Sequence, residues 1–97
     1  MTEACLRTLR REIDQIDHEL VTLLARRFRT VDRVIDAKKI EVLPAHMQSR
    51  VDEVIANAVH HAETAKVPPV SIKRLWEVLV SETIAYETGR GVRGATQ

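Results

Sequence analysis

The stretch LRTLRREIDQIDHELVTLLARRFRTVDRVI, Leu6–Ile35, decides the fold. Its apolar residues are Leu6, Leu9, Ile13, Ile16, Leu20, Leu23, Leu24, Phe28, Val31, Val34 and Ile35. The steps between them alternate between three and four, the repeat of one continuous amphipathic helix. No glycine or proline occurs before Pro44, so nothing between residues 4 and 40 interrupts that helix. At 1.5 Å per residue it is roughly 50–55 Å long. A compact domain of 97 residues has a diameter of only about 30 Å. The helix therefore overhangs its own domain, and an overhanging apolar stripe needs a partner. The simplest partner is a second copy of the chain. Geometry predicts an intertwined helical homodimer.

Downstream the pattern repeats. Met47, Val51, Val54, Ile55, Ala58, Val59, Ala62 and Ala65 predict a second helix over about 47–66, after a Glu41–His46 loop that holds Pro44. Pro68 and Pro69 end it and pre-set the first turn of a third helix. That helix carries Ile72, Leu75, Trp76, Leu79, Val80, Ile84 and Tyr86 and stops near Thr88, where Gly89 follows. All three glycines lie in the last nine residues, and the aromatics are only Phe28, Trp76 and Tyr86. A sandwich, a barrel or a glycine-rich nucleotide fold is excluded. The expectation is an all-α domain of three helices over residues 1–88, with a flexible tail over 89–97.

Composition narrows the function classes. The formal charge is +1, giving no global pull toward nucleic acid or acidic lipid, and Glu12, Asp14 and Asp17 offset the Arg7, Arg10 and Arg11 cluster. Cys5 is the only cysteine, so no internal disulfide forms. No apolar run is long enough for a signal peptide or a membrane span, which makes a cytoplasmic protein the expectation. The adjacent His60 and His61 point to different sides of a helix, and no His or Cys cluster has zinc spacing. Neither a metal nor a cofactor is expected, and no Ser–His–acid set is evident.

Some charges stand where a solvated helix face would not put them. Arg27 lies seven residues after Leu20 and four before Val31, in register with the apolar stripe. Lys38 repeats that register after Val31 and Val34. Thr83 and Glu87 continue the line of Trp76 and Leu79–Val80, and Arg50 precedes Val51 beside the loop. Long basic side chains at a helix edge often snorkel, with buried stems and wet heads. Several cations and a carboxylate on facing apolar stripes are better explained together, since burying them unpaired costs several kcal/mol. A small pocket within a helical bundle that takes an anionic ligand does so. Guanidinium groups match carboxylates or phosphate.

Those residues carry a resemblance. The run LRREIDQIDHELVTLLARRFRTVDRVIDAKK, Leu9–Lys39, is similar to the first helix of the all-helical chorismate mutases of the AroQ class. Its marks are L-R-x-x-I-D-x-I-D-x-x-L-x-x-L-L-x-R-R and a lysine eleven residues after the second arginine. The similarity continues through Arg50–Val51 and through RLWEVLVSET, Arg74–Thr83, and spans roughly residues 6–88. The resemblance implies an intertwined dimer acting on the dicarboxylate chorismate without a cofactor. It implies that Arg10 crosses from the partner subunit to a substrate carboxylate and that Arg27 binds a carboxylate within its own chain. Lys38 would contact a carboxylate and the ether oxygen. Arg50 matches a loop-proximal arginine, Thr83 stands where a serine is common, and Val34 would be an apolar wall.

Two positions depart from that pattern. Val51 stands where the best-known mutases have a glutamate for the ring hydroxyl, and Glu87 where they have a glutamine that donates to the ether oxygen. A carboxyl donates only when protonated, so activity is expected to rise toward acid pH. The departures keep two relatives open as readings, isochorismate pyruvate lyase and 4-amino-4-deoxychorismate mutase. A helical dimerisation module without activity is the non-enzymatic alternative.

Overall fold

The computed structural model describes residues 3–94 and contains three helices: α1 (Glu3–Glu41), α2 (Gln48–Ala65) and α3 (Pro69–Gly89). The all-α class and the three-helix order agree with the sequence reading. Pro69 sits in the first turn of α3, where an amide proton has no helical partner to lose. The chain divides into two compact units that meet within α1, one up to Thr30 and one from Val31.

In the first unit the periodic stripe of α1 has little cover. Ile13 is 57% exposed, Leu20 52% and Leu23 56%. In the second unit α2 and α3 pack on one another across the short Lys66–Pro68 turn. The small side chains of Ala58 and Ala62 are buried in α2, and Val80, Thr83 and Glu87 are buried in α3. Val31, Ile35, Ala45 and Val92 form a second buried cluster, with Ile84 and Tyr86 packed against it. Among the described residues no large side chain is fully buried. The apolar content of the sequence is far from used up by these cores.

With no glycine available before residue 89, the first two helices end on other residues in the left-handed region. Lys66 has φ 61° and its amide caps carbonyls of the last turn of α2. Val42, after α1, has φ 56°. A β-branched residue there crowds its own Cβ against the backbone, at a cost of about 1–2 kcal/mol. Val42 is 66% exposed, so its side chain returns little. Val42→Gly is expected to raise stability by about 1 kcal/mol, read as a higher urea midpoint with an unchanged slope.

The tail expected from residue 89 onward is tied down as far as Gly94. Val92 is only 4% exposed, and the Ala45 and His46 amides donate to the Arg93 and Gly94 carbonyls. Packing of one valine onto an existing apolar cluster outweighs the glycine-rich composition that predicted fraying. Residues 95–97 of the expected tail lie outside the described residues.

Candidate active site

The centre of the candidate site is a buried ion pair. Lys38 projects from the last turns of α1, where a cation is also favoured by the helix dipole. Its Nζ donates to Glu87 Oε1 at 2.8 Å and to the Ala45 carbonyl at 2.9 Å. The side chains are 14% and 6% exposed. So dry a pair holds only when its partners also hydrogen-bond it, and removing one partner typically costs about 3–5 kcal/mol. An ammonium has three protons, and two of them point at these acceptors. The arrangement can present the remaining N–H donor of the Lys38 ammonium to an oxygen of a ligand, the pair itself being neutral overall. In it Glu87 is an acceptor.

The other predicted site residues have different environments. Thr83 is buried one turn before Glu87 on α3, its hydroxyl donating to the Leu79 carbonyl at 2.8 Å. Val34, one turn before Lys38 on α1, is 39% exposed. Arg50 is not turned inward as its position beside the loop predicted. Its guanidinium pairs with Glu53 one turn on in α2, and the side chain is 65% exposed. Arg10 and Arg27 belong to the first unit, where Arg10 is exposed and Arg27 half-buried.

Two contributions escaped the sequence. One is the Ala45 carbonyl, because a backbone acceptor leaves no residue-type signal. The other is Asp32, whose Oδ1 accepts the Tyr86 hydroxyl proton at 2.5 Å. The spacing between Asp32 and Tyr86 gave no hint of it. That hydrogen bond, and then loss of water, raise the phenol above its ordinary 10.0, against the pull of the Arg90 cation. Arg90 lies over the same ring, 4.4 Å from its centroid.

A larger cleft of about 1000 Å³ opens between α2 and α3 and does not include Lys38 or Glu87. Its floor is Val51, Ile55, Val59, Val80 and Ile84, with His46, Glu63 and Lys73 among the residues at its rim. It has the chemistry of a packing surface, whereas the chemistry-bearing groups lie at Lys38. Among the described residues no cluster of His, Cys, Asp or Glu could hold a metal ion, and no helix is long and apolar enough to cross a membrane.

Comparison with known proteins bears on this arrangement. The family model described as chorismate mutase type II matches residues 9–88. A curated relative, the T-protein of Enterobacter agglomerans, is 31% identical over 88 residues, covering 91% of this chain and 24% of the T-protein. The chain thus spans about a quarter of the length of that relative. No solved structure matches it. The match runs from α1 through α3 and includes Arg10, Arg27, Lys38 and Glu87, and with it the chain belongs to the chorismate mutase type II family.

Proposed function

We propose that this domain converts chorismate to prephenate, as a homodimer, without metal or cofactor. The observation that carries the reading is the buried Lys38 ammonium, held by Ala45 and Glu87 inside the segment that matches the family. In a Claisen rearrangement one C–O bond breaks as a C–C bond forms within the same molecule, so neither nucleophile nor metal is required. What the reaction needs is a flexible dianion held in its reactive conformer and positive charge at the ether oxygen, where negative charge develops. Lys38 supplies that charge. Arg27 binds a carboxylate within the chain, and Arg10 reaches a carboxylate in the partner's site. Val34 and Thr83 wall the pocket, and Arg50 swings from Glu53 to close on substrate.

The second copy also accounts for the uncovered apolar surfaces. The exposed stripe of α1 and the apolar residues of the α2–α3 cleft have the chemistry of an obligate interface.

Glu87 has a second task. As a carboxylate it accepts from Lys38; protonated, it can donate to the ether oxygen as well. The charged group it meets is Lys38 from α1. A glutamine does both jobs at every pH, its carbonyl facing Lys38 and its amide facing substrate. Glu87→Gln is expected to exceed wild type in kcat at neutral pH by about tenfold. Equal kcat for the two proteins would remove this role.

The reading as a whole is tested by incubating the protein separately with chorismate, isochorismate and 4-amino-4-deoxychorismate and resolving products by chromatography and mass spectrometry. A product of unchanged mass and new retention from chorismate is expected. Pyruvate released from isochorismate would give the lyase instead, and rearrangement of the amino compound alone would give the aminodeoxychorismate mutase. Three unchanged substrates would leave the helical module.

A further inference from the structure

Lys38 carries its charge on a flexible four-carbon stem, and such a side chain keeps one position only where fixed acceptors hold it. One acceptor, Glu87, stands on α3; the other, the Ala45 carbonyl, stands in the loop between α1 and α2. The order of that loop comes from the far end of the chain. Ala45 N–H donates to the Arg93 carbonyl at 2.7 Å and His46 N–H to the Gly94 carbonyl at 3.3 Å. The Arg93 guanidinium donates to the Val42 carbonyl at 3.3 Å, at the loop's start. Val92, 4% exposed, anchors the segment in one cluster with Ala45, Val31 and Ile35. Its amide donates to the Glu87 carbonyl at 3.1 Å. A ring closes here: the Glu87 side chain holds Lys38, while the Glu87 carbonyl holds the segment that fixes the second acceptor of Lys38. Gly91, at φ 95°, makes the turn that allows this return.

We infer that residues 90–94 are a strap that positions the Lys38 ammonium, with Val92 as its anchor. The inference rests on Lys38 being the catalytic cation, but its geometric content does not. Val92 is a positioning residue: it touches no substrate and acts through the Ala45 carbonyl. Detaching the strap lets the loop and its carbonyl move away, leaving Lys38 with a single fixed acceptor and a wider spread of positions.

The test uses the full chain with Val92→Asp, and Val92→Ile as the conservative control. Lys38 is labelled with an amine-acylating ester and followed by peptide mass mapping, with the exposed Lys66 as internal reference. Labelling of Lys38 relative to Lys66 is expected to rise about tenfold in Val92→Asp, and kcat on chorismate to fall about tenfold with little change in KM. Val92→Ile retains both wild-type values. If Val92→Asp loses its helical circular dichroism, Val92→Ala carries the same comparison. Slow Lys38 labelling in the detached variant would overturn the strap. So would a variant that melts earlier yet keeps its kcat well below its melting range. An intact chain inactive on all three substrates would sink the functional reading, and the labelling ratio would still decide the strap.

Discussion

Replacing Lys38 with methionine is expected to lower kcat about a hundred- to a thousand-fold, and to lower stability as a separate effect. Methionine keeps the length of the stem but cannot place charge at the ether oxygen, where it matters in the transition state more than in the ground state. The loss therefore appears mainly in kcat. The stability loss has another origin. Glu87 is 4% exposed, and without the ammonium it becomes a buried carboxylate with its cation gone, at a cost of about 3–5 kcal/mol. Adding Glu87→Gln removes that stranded charge, so the double variant is expected to recover most of the stability and none of the activity. Urea denaturation and steady-state kinetics on the single and double variants separate the two effects. A double variant that regained turnover would show that the pair is architecture rather than chemistry.

Arg10→Ala and Arg27→Ala are expected to be the other severe losses. Each removes a charged partner of a substrate carboxylate, worth about 2–5 kcal/mol, or roughly thirty- to several-thousand-fold in kcat/KM. The carboxylates carry the same charge before and during the rearrangement. Hence a large part of the loss enters through KM, unlike that of Lys38. Arg10 is exposed on α1, so the monomer fold should not notice its removal. Arg27→Lys is expected to recover little, because a point ammonium cannot reproduce the two parallel bonds of a guanidinium fork. Kinetics of the three variants on chorismate check this, and an Arg10→Ala protein with unaltered KM and kcat would remove that residue from any site.

The helices were legible because a period of 3.6 in apolar residues is written directly into positions such as Leu20, Leu23 and Val31. Lys38 and Glu87 stood out for a related reason: each is a charge in an apolar register, and the fold buries Glu87 and partly buries Lys38. The pairing of Arg50 with Glu53 was not legible because register reasoning ignores the local partners that the first turn of a helix offers. The Asp32–Tyr86 hydrogen bond was not legible because the two residues are remote in sequence. The return of residues 90–94 was hidden for two reasons. Three glycines in nine residues read as a frayed end, and the hydrogen bonds that fasten the segment are backbone bonds, blind to residue type.

The central claim is that two chains build each site, one giving Lys38 and the other Arg10. Complementation tests it most directly. Arg10→Ala and the folded Lys38→Met/Glu87→Gln double variant are each severely impaired by this account. Unfolding them together and refolding at equal concentrations forms mixed dimers in half of the population, each with one site holding both Lys38 and Arg10. Activity on chorismate is expected to return to about a quarter of the wild-type value. A mixture no more active than its two components would contradict the shared site.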